Sequence, residues 1–147
     1  MQKLLALSAA AVLTLSGCVV HSYDVDDDPT PVVVVPANYA PQILDAYAEV
    51  AYDNYNMDDI WYFEATVDDL DGAYDVISVW ADVYDEYDGT WVESFELFPT
   101  NDPLVWYSDW LGSTTYLDPF YPSYSVDIVA YDTYEDYDAI TILPLTY

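Results

Sequence analysis

The residues most able to do chemistry in this chain are carboxylates set in turns. One group, Asp68, Asp69, Asp71 and Asp75, closes on Gly72; a second, Asp132, Glu135, Asp136 and Asp138, lies some sixty residues further on. Hard cations such as Ca2+ take six to eight oxygen ligands, and two convergent acidic loops could supply several. Asp68, Asp69, Asp71, Asp132, Glu135 and Asp136 are the candidate ligands, with calcium as the implied cofactor. Gly72 would let the chain turn tightly around an ion. Asp69-Leu70-Asp71-Gly72 matches only part of an EF-hand loop, and no Glu follows at the required spacing. The competing reading is a pair of solvated turns in which each Asp bonds its own backbone.

Aromatic side chains offer a second chemistry. Strict alternation sends Trp80, Tyr84, Val129 and Tyr131 to one outer face with Asp82 and Asp127 among them. Aromatic planes beside carboxylates suit sugar rings, so Trp80, Tyr84 and Tyr131 are candidate ligand-binding residues. A further aromatic group, Trp106, Tyr107, Trp110, Tyr116, Phe120 and Tyr121, forms a second candidate platform. The alternative in both cases is packing, because aromatic cross-strand pairs stabilise sheets.

Catalysis has little to stand on. The single His21 lies far from any candidate site, so no Ser-His-Asp set can form. No Gly-rich phosphate loop occurs. Paired carboxylates can hydrolyse glycosides, but acids are so frequent here that a pair carries no specificity. The expectation is a protein that is not an enzyme, with glycoside hydrolase as the remotest alternative.

Composition sharpens these limits. The 147 residues carry 28 acidic side chains against one Lys or Arg, a formal net charge of -27. Such a chain cannot grip a phosphate backbone, which argues against nucleic acid as a partner. Acidity alone often means disorder, but 54% hydrophobic and 18% aromatic residues favour a packed core.

The sole cysteine ends an apolar run. Lys3 precedes the apolar residues 4–15, and Leu15-Ser16-Gly17-Cys18 closes them. This stretch resembles the signal peptide and lipobox of bacterial lipoproteins. The resemblance implies cleavage before Cys18, a diacylglycerol thioether on its sulfur, and further acylation of the palmitate type. Several chains give stable anchoring where one does not. Val19, in place of an Asp, favours the outer membrane in Gram-negative lipoproteins. Lys3 would leave with the signal, so the mature chain would hold no basic residue other than His21. Residues 1–17 are thus expected as signal peptide. Residues 18–41, with Asp24, Asp26, Asp27, Asp28 and four prolines, are expected as an extended tether. The valines 32–35 could instead add a strand to the domain.

From residue 43 the hydrophobic period is two. It predicts strands over 43–52, 60–67, 76–84, 91–98, 124–131 and 139–143, with a shorter one near 104–110. A helical turn over 44–49 is the alternative for the first. Trp61, Phe63, Ala65 and Val67 share one predicted inner face, as do Ile77, Val79, Ala81 and Val83, and as do Val126, Ile128 and Ala130. Asp-Gly at 88–89 is a strong turn signal. These elements predict an all-β fold, a single antiparallel sandwich of about seven strands over 42–147.

The runs at 64–72 (Glu-Ala-Thr-Val-Asp-Asp-Leu-Asp-Gly) and 124–132 (Tyr-Ser-Val-Asp-Ile-Val-Ala-Tyr-Asp) look like strands of Ig-like, cadherin-like or fibronectin-III-like bacterial surface domains. The resemblance implies an Ig-like β-sandwich in which the two acidic loops share one end, with Tyr124 as a tyrosine corner. Two features depart from the antibody pattern: no disulfide joins the sheets, and Trp80 points outward. The expected function is a lipid-anchored cell-envelope protein with a structural or interaction role. Its partners would be the membrane, through the lipid, and an envelope protein or glycan; a carbohydrate- or polymer-binding module is the alternative.

Overall fold

A computed structural model of the chain describes residues 37–146. The lipobox with Cys18, His21, the acid cluster at 24–28 and the valines at 32–35 lie outside the described residues. Residues Asn38–Tyr147 form one compact unit, and among the described residues no helix is long and apolar enough to cross a membrane.

The unit is all-β. Seven strands run in chain order: β1 (Gln42–Asp53), β2 (Asp58–Asp68), β3 (Val76–Asp85), β4 (Trp91–Pro99), β5 (Val105–Leu111), β6 (Tyr124–Asp132) and β7 (Tyr137–Ile142). One 3-10 turn, Gly112–Thr114, interrupts the strands. All pairings between strands are antiparallel, in the order β1-β2-β5-β4-β3-β6-β7. The sheet nearly closes: beyond Pro144, Leu145 makes a parallel bridge to Glu49, with Val50 N–H on its carbonyl and its own N–H on the Ala48 carbonyl, 3.0 and 2.9 Å. Closure of this kind leaves little free edge for unwanted pairing.

Alternation explains why these segments are strands. On β2, Trp61, Phe63, Ala65 and Val67 are all buried while Tyr62, Glu64 and Thr66 reach the other face. On β6, Val126, Ile128 and Ala130 are fully buried between half-buried neighbours. Period-two burial fixes the register, because a slip of one residue would turn each apolar set to solvent. The β1 segment is a strand throughout, and the helical alternative at 44–49 does not form: Ala48 and Val50 need the two-residue spacing to reach the core together.

The core is aromatic where non-neighbouring strands meet. Phe63 of β2 stacks on Phe95 of β4 at 4.9 Å between ring centroids, and Trp61 meets Tyr124 of β6 edge-on at 5.9 Å. Offset and edge-on contacts of this type add about 0.5–1.5 kcal/mol beyond area burial. Strands β4 and β5 share only the pairs Phe98↔Tyr107 and Pro99↔Trp106. The sheet folds over at this short seam, which brings β2 against β4 and β6.

One predicted core residue is corrected. Ile77 is 55% exposed, and Val76 is buried in its place. The register of β3 on β6 shifts between Val76 and Ser78, a bulge that inverts the alternation at the start of the strand. Val79, Ala81 and Val83 then face inward as expected.

Candidate functional site

The two acidic loops do meet. The loop after β2 is shaped by its own aspartates. Asp71 N–H donates to Asp69 Oδ1 (2.7 Å), Gly72 N–H to the Asp69 carbonyl (3.0 Å) and Asp75 N–H to the Gly72 carbonyl (2.8 Å). Gly72 sits at φ 121°, a conformation costly for any residue with a Cβ. These turns gather Asp69, Asp71 and Asp75, so that a carboxylate oxygen of each lies within 4.8 Å of the others.

The loop after β6 is organised around Asp132, which is fully buried. Its Oδ1 accepts the N–H groups of Tyr134 (2.8 Å) and Asp136 (2.9 Å), and its Oδ2 accepts Asn38 Nδ2 (2.7 Å). Burial pushes this carboxyl up, but the Asn38 amide and the two backbone N–H groups outweigh it and hold Asp132 below the usual carboxylate range. Thr133 Oγ1 donates to Asp75 Oδ1 and joins the loops. The segment before β1 enters at the same place. Asn38 Nδ2 also donates to Asp136 Oδ2 (2.9 Å), and Tyr39 N–H to Asp71 Oδ2 (2.7 Å). Residues 38–39, expected in the tether, are therefore bonded into the domain.

Asp69 stands in a different condition from Asp132. It is 5% exposed, and its Oδ2 is buried with no hydrogen-bond donor. Burial raises its pKa first; the Asp71 N–H opposes this, while the charges of Asp75, Asp71 and Asp132 raise it further. A buried acceptor left without a donor costs about 1–3 kcal/mol. Three carboxylates at this spacing, with no Lys or Arg among the described residues, could offer oxygen ligands to a hard cation.

Of the six predicted ligands, Asp69 and Asp71 fall in the triad. Asp132 and Asp136 are engaged by Asn38, and Asp132 anchors its loop. Asp68 Oδ1 accepts Asp69 N–H (2.9 Å). Glu135 is exposed with φ 67°, its N–H on the Asp132 carbonyl (3.2 Å). Asp75 completes the triad through the turn that follows Gly72. Asn38 and Tyr39 carried no motif; their part depends on where the chain enters β1.

The second candidate is placed on the outer face, as alternation predicts. Trp80, Tyr84 and Tyr131 are half-buried there. Asp82 and Asp127 are directly opposite across β3 and β6. Each carboxylate takes a hydroxyl from the strand beyond, Ser94 Oγ to Asp82 and Thr141 Oγ1 to Asp127 (2.6 Å). Burial raises the Tyr84 phenol, and Asp82 and Asp127 raise it further. Tyr131 packs on Tyr137 at 5.8 Å.

The second aromatic platform does not assemble. Trp106 is buried, and Trp110 packs on Phe95 at 5.6 Å. Tyr107 lies beside Tyr62 at 6.4 Å, its phenol pushed up to about 12 by burial, with the charge of Asp109 next. Tyr116 and Phe120 are exposed, and Tyr121 O–H donates to Asp85 Oδ2 (2.9 Å). Alternation along β5 sets Tyr107 on the face opposite Trp106 and Trp110, and Tyr116, Phe120 and Tyr121 lie beyond the strand.

No family model, curated protein or solved structure matches the chain. What the fold and site define is an acidic, all-β domain with a carboxylate triad at one loop end.

Proposed function

We propose that this chain is a non-enzymatic module of the bacterial cell envelope, held by lipid on Cys18, whose acidic loop end takes Ca2+ as a structural ion. The role is structural or interactive: the ion fixes the loops that the domain presents to an envelope protein or glycan. The observation that carries the cation reading is Asp69, a buried carboxylate with an unpartnered oxygen inside a triad. A cation satisfies it and relieves the repulsion from Asp71 and Asp75 in one step. The choice of calcium rests on the all-oxygen, all-carboxylate character of the triad.

The strand order supports an Ig-like sandwich, with β1, β2 and β5 opposing β4, β3, β6 and β7. Tyr124 supports it as well, since its hydroxyl accepts the Asp118 N–H (3.0 Å) from a few residues upstream, as in a tyrosine corner. The outer-membrane location rests on the lipobox resemblance alone.

The test is thermal melting of the full chain in detergent, in excess chelator and again in millimolar calcium, with sodium chloride matched for ionic strength. The expected result is a midpoint that rises in calcium well beyond the rise in sodium chloride. Equal rises would show general screening of the net charge and would remove the calcium site.

A further inference from the structure

We propose that the side-chain oxygen of Asn38 is a ligand to the same cation, so that the ion ties the root of β1 to the β2–β3 loop. This deepens the calcium reading above and rests on it. The described residues hold five buried side-chain polar atoms without a hydrogen-bond partner: Asn38 Oδ1, Asp69 Oδ2, Ser108 Oγ and the indole nitrogens of Trp61 and Trp106. Only the first two are pure acceptors, and both belong to the acidic loop end.

The orientation of the Asn38 amide is fixed. Its Nδ2 donates to two carboxylates, Asp132 Oδ2 at 2.7 Å and Asp136 Oδ2 at 2.9 Å. Exchanging nitrogen and oxygen would set an acceptor against both acids, so the flip that often leaves an amide ambiguous is excluded here. The oxygen is thereby turned away from Asp132 and Asp136 and left without a donor.

Asn38 is also linked to the triad by its neighbours. Tyr39 N–H bonds Asp71 Oδ2, and Thr133, next to the Asp132 that Asn38 holds, donates its hydroxyl to Asp75 Oδ1. Two buried acceptors from different segments, beside carboxylates that repel one another, call for a species that only accepts electron pairs. A water molecule could donate to both acceptors, but it would leave the repulsion within the triad in place. A calcium ion answers both, and it takes carboxamide and carboxylate oxygens together. Asn38 then has two jobs on two atoms. Its nitrogen donates hydrogen bonds to the two carboxylates of the β6–β7 loop, and its oxygen contributes a neutral ligand to the ion. Calcium would set how firmly residues 38–40 are held against the loop end.

The test is calcium titration by calorimetry of the full chain in detergent, for the unmodified protein, Asn38→Ala and Asp69→Asn. The expected result is binding by the unmodified chain, loss of binding in Asp69→Asn, and weakening on the order of 10-fold in Asn38→Ala, the lower end of what even outer partners of a metal contribute. Removing the Asn38 nitrogen takes a hydrogen-bond donor from Asp132 and Asp136 and leaves their charges less well compensated by local dipoles. Charge alone would therefore tighten calcium binding in Asn38→Ala, and weakening reports the lost oxygen. Equal binding by Asn38→Ala and the unmodified chain, with Asp69→Asn silent, would overturn the Asn38 assignment and leave the calcium site standing. No binding by the unmodified chain would overturn both. If Asn38→Ala does not fold, hydrogen exchange on the unmodified chain decides. Calcium should slow the amides of 38–40 together with those of 69–75, and protection confined to 69–75 would overturn the proposal.

Discussion

Replacing Asp69 by Asn should stabilise the metal-free domain and abolish its response to calcium. The substitution keeps Oδ1, which accepts the Asp71 N–H at 2.7 Å. It exchanges the unpartnered, buried Oδ2 for an amide nitrogen beside the carboxylates of Asp71 and Asp75. An orphaned acceptor becomes a donor among acceptors. Relief of the unsatisfied group is worth about 1–3 kcal/mol, and at 5% exposure solvent screening does little to reduce it. For a small domain each kcal/mol moves the midpoint by roughly 4–8 °C. The unmodified chain in calcium at 100 times its dissociation constant gains about 2.7 kcal/mol, which the variant forgoes. The variant should therefore melt higher in chelator and only the unmodified chain should rise in calcium, the two exchanging rank once that gain exceeds the relief. The advantage in chelator also depends on pH. Because burial raises the Asp69 pKa above its ordinary 3.8, ionising the group costs stability as pH rises through that range. The difference should be largest near neutrality and vanish below about pH 3.8, where Asp69 is protonated in both the folded and unfolded chain. Melts of both proteins across pH, with and without calcium, test each part. A variant that melts lower in chelator would refute the reasoning, since it would show that Asp69 is already satisfied.

Asp132 should behave with the opposite sign. Its hydrogen bonds depress its pKa, so its stabilisation is present above the ordinary 3.8 and is lost as pH falls through the lower folded value. Asp132→Asn, which sets an amide against the Asn38 amide, should lower the melting midpoint at pH 6, and the deficit should shrink in acid; a deficit constant across pH would contradict this. Tyr124→Phe removes the acceptor of the Asp118 N–H and should cost about 0.5–1.5 kcal/mol in urea unfolding; an unchanged urea midpoint would mean the hydroxyl does not hold that corner. Phe63→Ala empties a fully buried site stacked on Phe95 and should cost about 3–5 kcal/mol by the same measurement. Cys18→Ser should move the chain from the membrane to the soluble fraction on centrifugation; retention on the membrane would exclude lipid on Cys18 as the anchor.

Period-two burial was legible along the chain because it is a local property. Trp61, Phe63, Ala65 and Val67 must share a face of any strand that contains them, and a face with those side chains must be buried. The same logic set the outer position of Trp80 and Tyr84. It failed at Ile77, where a bulge shifts the register by one, and bulges depend on the partner strand rather than on the sequence of their own. The aromatic group Trp106 to Tyr121 came from composition, and the sheet divides it: Trp106 and Trp110 pack, as the alternative reading expected.

The acid-rich loops were visible as Asp68 to Gly72 and Asp132 to Asp138, and their turns follow from Asp and Gly chemistry. Which carboxylates would be solvated, anchored or left unpaired was decided only by the tertiary structure. Asp132 and Asp69 are the same residue type in similar acidic loops. One is buried with three donors and the other is buried with one oxygen unpartnered. That difference arises because residues from three separate parts of the chain meet at one end of the sheet, and Asn38 reaches Asp132 across 94 positions of sequence. Sequence determined the charge, the strands and the inner faces apart from the bulge at Ile77, since these depend on residue type and near neighbours. The pairing of buried donors and acceptors depends on contacts between distant segments, and only the folded chain fixes those.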